Sequence, residues 1–276
     1  MPFRTILTIL GHERTQDDLA AALSAISETR AHTSILLAGI AAPPTVGDYP
    51  VGIGWIERRD EDLKALKAAR EQVVERCRAA DISYDVDLAF TERAFLQHAL
   101  FQKALHSDVA MIGPGIAVSN DLKRTVVDAV IFDARRPLVL VPEGGEGTLT
   151  PKRVLLAWNS KTEAAQAATA ALELLVQADE VHLTLIDPDT THGRNGEEPG
   201  ADAAAFLSRH GVNAVIDQLA SGGRPVEVVL QQHALDIGAD LMVMGAYGRS
   251  RMRERIFGGV TASILEKTRL PVLMAR

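Results

Sequence analysis

The sequence predicts an α/β fold made of two tandem doubly wound domains, each on a five-stranded parallel sheet. Short apolar runs alternate with amphipathic or alanine-rich stretches along all 276 residues. Alternating strands and helices, joined by right-handed crossovers, give a parallel sheet covered on both faces. The same order restarts after a glycine-containing linker at 143–150, and two landmarks align the halves. Ser107-Asp108-Val109-Ala110-Met111-Ile112-Gly113 resembles Ala239-Asp240-Leu241-Met242-Val243-Met244-Gly245, and Arg136-Pro137-Leu138-Val139 resembles Leu270-Pro271-Val272-Leu273. The chain is therefore an internal duplication, with domains at 1–145 and 151–276.

In the first half, the apolar run 3–10 reads as a buried strand, 17–28 as an alanine- and leucine-rich helix and 33–40 as a second strand. Residues 41–55, with three prolines and three glycines, read as a loop. The segment 60–80 is a long helix, with Leu63, Leu66, Val73, Val74 and Cys77 on one stripe. Strand 82–90, helix 94–105, strand 109–112, helix 121–133 and strand 137–141 complete the half. The second half repeats the order: strand 153–158, helix 161–177, strand 181–186, polar loop 187–200, helix 201–210, strand 213–219 and helix 226–237. It ends with strand 241–244, a glycine- and arginine-containing loop, helix 262–268 and strand 271–275.

Composition narrows the class. A hydrophobic content of 47% is ample for buried cores. The net charge of −7 argues against general affinity for nucleic acid or a membrane surface. Cys77, the one cysteine, excludes an internal disulfide framework and is assigned to packing. The first apolar run is too short for a signal sequence, and no segment approaches the roughly 18 apolar residues that span a bilayer. The expected location is the cytoplasm.

The stretch 241–261 carries the chemistry. Four apolar residues form a short strand, and Gly245 and Gly248 allow a tight turn and close approach of backbone to a ligand. Four arginines, Arg249, Arg251, Arg253 and Arg255, precede Gly258-Gly259-Val260-Thr261 at the start of a helix. Strand, glycine loop and helix N-terminus in that order suit an anion, most often a phosphate. One or two of the arginines suit phosphate contact, but a charge run of this kind is usually a solvated face.

Gly245, two residues, Gly248, nine residues and Gly258, continued by Val260 and Thr261, resemble the signature loop of the universal stress protein family. The family pattern places Ser or Thr where this chain has Gly259. The resemblance covers nearly the whole chain as a tandem pair. It implies strand order 3-2-1-4-5 in each half and an adenine nucleotide (ATP, ADP or AMP) at the reversal of that order in the second half. It assigns contacts to Ala157, Asn159, Leu185, Met244, Gly245, Tyr247, Gly248, Gly258, Gly259, Val260 and Thr261. Strand 2 is expected to meet adenine through its backbone near Leu185, and the residue after strand 1, Asn159, to hold a ribose hydroxyl. Asn159 read by itself serves equally well as a turn or cap before Lys161.

The first half reads as a degenerate copy that binds nothing. Arg124 and Thr125 stand in place of Gly258 and Gly259, Leu10 in place of Asn159, and Gly113-Pro114-Gly115 has the wrong glycine spacing. The apolar edge strands 137–141 and 271–275 are expected to meet, making the halves a pseudo-dimer. Pairing of two chains is left open.

No Gly-x4-Gly-Lys-[Ser/Thr] loop or Gly-x-Ser-x-Gly turn occurs, and no general base accompanies the glycine loop, so no catalytic residue is assigned. His233 and Asp236 share a helix without a further ligand at metal spacing. Asp187 and Asp189 suit magnesium less well than turn chemistry. Three readings follow: a regulatory stress-response protein binding an adenine nucleotide, a slow ATPase or nucleotide-processing enzyme using magnesium in the same pocket, and an interaction protein without nucleotide.

Overall fold

The computed structural model describes residues 3–11, 14–41, 53–145, 147–188, 198–246 and 259–276. Two compact units divide the chain, Phe3–Arg136 and a second that runs from Pro137 to Arg276. The first contains β1 (Thr5–Leu10), α1 (Thr15–Ser27), β2 (His32–Ile40), α2 (Ile53–Ala79), β3 (Tyr84–Thr91), α3 (Arg93–Leu105), β4 (Val109–Ile112), α4 (Pro114–Val118) and α5 (Asn120–Val127). A wide π-helical turn, Asp128–Asp133, continues α5. Its strands lie in the order β3-β2-β1-β4, and the β1–β2, β1–β4 and β2–β3 pairs are all parallel.

The second unit begins with β5 (Leu138–Leu140) and β6 (Arg153–Ala157), followed by α6 (Thr162–Ala170), α7 (Leu172–Gln177), β7 (Glu180–Ile186), α8 (Ala201–Arg209), β8 (Ala214–Leu219), α9 (Val226–Asp236), β9 (Leu241–Gly245), α10 (Val260–Glu266) and β10 (Val272–Ala275). Its order is β5-β10-β9-β6-β7-β8. Numbered within the second repeat, β8-β7-β6-β9-β10 is the expected 3-2-1-4-5. Helices cover both faces of such sheets, so the central strands are apolar on both sides. Ile6, Leu7, Ile9 and Leu10 of β1 and Leu241, Met242 and Val243 of β9 are fully buried. The one polar side chain buried at the middle of β1, Thr8, shares a hydrogen bond with Thr33 of β2 at 3.0 Å.

The repeated Asp in the aligned landmarks has a structural cause. The Asp108 carboxylate accepts the N–H groups of Arg4 and Thr5 at 2.7 and 2.9 Å. Asp240 accepts those of Lys152 and Arg153 at 2.8 and 3.1 Å. In each repeat the fourth strand thus ties down the start of the first, and satisfies donors that the sheet leaves open.

Strand β5 pairs antiparallel with β10, with Val139 opposite Leu273. The two last strands therefore meet as expected, and each closes an edge of the other. The compact units meet at Arg136/Pro137, so β5 is counted with the second unit, alongside its partner β10.

Local differences from the sequence reading have identifiable causes. Of the expected loop 41–55 only 41 and 53–55 are described, and 53–55 already belong to α2, a run rich in Glu, Lys, Arg and Ala. Helix α4 was not expected; Pro114 opens it, where the missing N–H has no helical acceptor to lose. The single helix expected at 161–177 is two, divided at Ala171, whose carbonyl accepts both Leu174 and Leu175 N–H groups. That tight turn brings both leucines into the core. Cys77 is buried with Leu66 and Val73, and burial pushes its thiol up to about 11, which keeps it protonated and unreactive. Among the described residues no helix is long and apolar enough to cross a membrane.

Candidate functional site

In the second repeat the strand order reverses between β6 and β9, so the crevice at their carboxyl ends is where this class of sheet takes ligands. The backbone pairing shows which groups face it. Met242 and Ala246 donate to Pro271 and Ala275 of the β10 segment, so the alternate residue Gly245 directs its peptide groups toward β6. Trp158 N–H donates to Thr184 C=O, and Asp187 N–H to Leu219 C=O. Thr184 and Ile186 therefore face β6, and Leu185 faces β8, with Gln218 as its register partner. Strand β7 outruns β6 in this pairing, which leaves Ile186, not Leu185, to present its backbone at the crevice. The Leu185 side chain is buried.

Gly245 has a packing reason to be glycine. A Cβ there would lie 2.6 Å from the carbonyl carbon of Glu163 and 2.8 Å from the N of Ala164, both backbone atoms of α6. The absent side chain thus lets α6 rest directly on β9. Gly259 is different. Its backbone sits at φ 91°, ψ −169°, a region essentially confined to glycine, and a Cβ would meet none of the described residues within 4 Å. A Ser or Thr at this position would strain this backbone, which accounts for the departure from the family pattern.

The remaining assigned residues are placed as follows. Ala157 ends β6 and is half-buried, and Met244 is buried in β9. Asn159 is exposed; its Oδ1 accepts the Lys161 N–H at 3.1 Å across Ser160, whose φ is 55°. That is the turn role left open above, and it occupies one acceptor site of the amide. Val260 and Thr261 open α10, Thr261 being buried. Tyr247, Gly248, Gly258 and the four loop arginines lie outside the described residues. Asp187 is exposed, with the Ser221 hydroxyl and N–H bonded to its carboxylate and holding it below its ordinary range, in keeping with a turn role.

The first repeat fills the equivalent space with its own side chains. Register alignment through Val109 and Leu241 pairs Leu10 with Trp158, so Gly11, not Leu10, stands at the place of Asn159. Neither offers a polar side chain. Arg124 and Thr125 lie within α5, where the Thr125 hydroxyl donates to Asp121 C=O at 2.7 Å. Helix thus stands where the second repeat has its glycine pair. Asp18 of α1 projects under β4, and its Oδ1 accepts the Gly115 N–H at 2.6 Å. Cβ atoms at Gly113 and Gly115 would come within 2.5 and 2.7 Å of that carboxylate. A carboxylate occupies the loop N–H that an outside anion would need.

Asp18 is buried, and that burial raises its carboxyl to about 6, against the lowering effect of the Gly115, Gly11 and Ile116 amides and of Arg14. Among the described residues its Oδ2 has no hydrogen-bond partner. Because the folded value lies above the ordinary 3.8, ionisation opposes folding. The contribution of Asp18 is most favourable below about pH 4, falls as pH rises and is lost above about pH 6. Asp18→Asn keeps the acceptor for Gly115 without the charge. It is expected to stabilise the chain at pH 8 by about 1–2 kcal/mol and to flatten the pH 4–6 slope of stability. Identical slopes for both proteins in urea denaturation across that range would refute the assignment.

One constellation escaped the sequence reading. His182 on β7, Asp217 on β8 and His233 on α9 converge, with His182 Nδ1 and His233 Nε2 each 2.7 Å from Asp217 Oδ2. Their sequence separations of 35 and 16 match no linear ligand pattern, and only pairing of β7 with β8 joins them. The register that sets Thr184 opposite Asp217 puts His182 and Asp217 on one face of the sheet, a meeting that no sequence pattern announces.

Fold and site together define a tandem doubly wound α/β protein whose two repeats have inequivalent switch points. Residues 150–276 match the model of the Universal stress protein family. Among curated proteins, Universal stress protein Slr1230 of Synechocystis is 33% identical over 91 residues, which are 31% of this chain and 31% of that protein. Stress response protein NhaX of Bacillus subtilis is 34% identical over 80 residues, 29% of this chain and 46% of that protein. The chain spans less than half the length of either relative. Among solved structures, a universal stress protein from Archaeoglobus fulgidus covers 100% of this chain and 97% of its own, at 14% identity and a TM-score of 0.71. A Pseudomonas aeruginosa structure described as a putative universal stress protein covers 99% and 93%, at 14% identity and a TM-score of 0.60. Residues 150–276 carry the universal stress protein family match, and both repeats share the fold of these solved structures.

Proposed function

We propose that the second repeat binds an adenine nucleotide in the crevice between β6 and β9, and that the chain is a nucleotide-responsive regulatory protein of the stress response. The observation that carries this reading is the pair of inequivalent switch points. In the first repeat a carboxylate and a helix fill the space. In the second, Gly245 turns its peptide groups toward β6, and a Cβ on Gly259 would meet none of the described residues within 4 Å. In this reading the phosphates lie against the backbone of 258–261, the ribose against the unused lone pair and amide N–H groups of Asn159, and the adenine against the backbone of Ile186. The family match of 150–276 supports the same assignment.

The test is to denature the purified full chain and identify any released nucleotide, then to titrate the emptied protein with ATP, ADP and AMP by calorimetry. One nucleotide per chain is expected. Gly259 offers an N–H and no hydroxyl, and one neutral hydrogen bond is worth roughly 0.5–1.5 kcal/mol, so ATP and ADP are expected within about tenfold of each other. Two sites per chain would refute the filled-site argument, and a hundredfold preference for ATP would assign the last phosphate to the loop arginines. Product formation with magnesium present would move the reading to a slow ATPase.

A further inference from the structure

We propose that His182, Asp217 and His233 form a binding site for a divalent transition metal of the zinc type, separate from the nucleotide crevice and independent of that reading. The three ligand atoms lie within 4.8 Å of one another and belong to β7, β8 and α9. The imidazoles stand nearly perpendicular, at 81° with centroids 6.2 Å apart, and both aim a nitrogen at the same carboxylate. Two imidazoles and a carboxylate are the donor set of open zinc sites, with water as fourth ligand. Zinc–ligand bonds of about 2.0–2.1 Å in tetrahedral array separate the ligand atoms by about 3.4 Å, so small rotations of the two rings away from Asp217 would admit the ion. The side chains are 13%, 19% and 16% exposed, so the ion can reach them.

The surroundings favour the metal-bound tautomer. Among the described residues Nε2 of His182 is buried without a good hydrogen bond, yet it lies 3.2 Å from Oε2 of Glu180, which Arg153 holds at 3.0 Å. A neutral His182 that donates from Nδ1 to Asp217 turns its Nε2 lone pair toward the Glu180 carboxylate. A metal on Nδ1 reverses this: the ring proton moves to Nε2 and faces Glu180, the carboxylate–histidine–metal relay of known metal sites.

The first repeat shows what the second lacks. Register aligns Asp87 with Asp217 and Ser34 with His182. There the carboxylate is bonded to the ammonium of Lys103 on α3, a fixed counter-charge. Among the described residues the ion-pair partners of Asp217 are the two imidazoles and no lysine or arginine, so a bound cation would supply the fixed counter-charge that Lys103 supplies in the first repeat.

The experiment strips the full chain with a chelator and titrates it with Zn²⁺ against a chromophoric competitor, and with Co²⁺ by visible absorption. One ion per chain is expected, with tetrahedral cobalt bands and a melting temperature raised by Zn²⁺. His182→Gln and His233→Gln are each expected to weaken binding more than tenfold, and Glu180→Gln by about 10–100-fold through the ring it orients. Asp217→Asn, nearly the same shape, serves if either histidine variant unfolds. Absence of binding by the wild type would overturn the proposal and leave the cluster as a hydrogen-bonded brace. Undiminished binding by the double histidine variant would place the ion on other histidines and overturn it equally.

Discussion

Gly258→Arg is expected to abolish nucleotide binding while leaving the melting temperature of the chain unchanged. The substituted residue is the one the first repeat carries at Arg124, inside a helix and without a glycine loop around it. In the second repeat, position 258 adjoins Gly259, whose backbone geometry belongs essentially to glycine alone and directs the chain into α10. A long side chain there occupies phosphate space and ends the close approach of backbone N–H groups to the anion, whatever its charge. Loss of affinity beyond a hundredfold, about 2.7 kcal/mol, is expected in calorimetric titration with ATP. Unchanged affinity and unchanged melting would show that the loop is a turn and nothing more.

The second large effect is on stability. Gly245→Ala is expected to destabilise the second unit by about 1–3 kcal/mol, the usual cost of overpacking. A new Cβ 2.6 Å from the Glu163 carbonyl carbon meets helix backbone, not a side-chain end that can swing away. Either α6 lifts from β9 or the strand shifts, and both disturb the crevice, so nucleotide affinity should fall with stability. Urea denaturation of the variant is the measurement; a midpoint equal to that of wild type would mean that α6 slides at no cost.

Gly245 illustrates how far a sequence pattern reaches. A glycine after an apolar strand announces that something approaches the backbone closely, but whether ligand or helix does so depends on where α6 lies. Leu185 is a similar case. Its position near the end of the second strand was legible, yet peptide groups in a strand alternate in direction, and a shift of one residue turns the peptide groups of Ile186, not Leu185, toward β6. Leu10 and Gly11 differ by the same single step. Burial of Cys77, by contrast, followed directly from a helical stripe of apolar residues.

The sequence by itself determined the alternation of strands and helices, the duplication, the linker and the glycine spacing of the second repeat. Those are local periodicities and repeated motifs, and apolar runs suited to burial on both faces make a covered parallel sheet the stable arrangement. Tertiary structure alone decided that Asp18 occupies the Gly115 N–H and that His182, Asp217 and His233 meet. Each of these depends on strand register or on a side chain arriving from a distant segment. No local pattern encodes such meetings, because their energy arises only once the sheet has fixed which residues stand opposite one another.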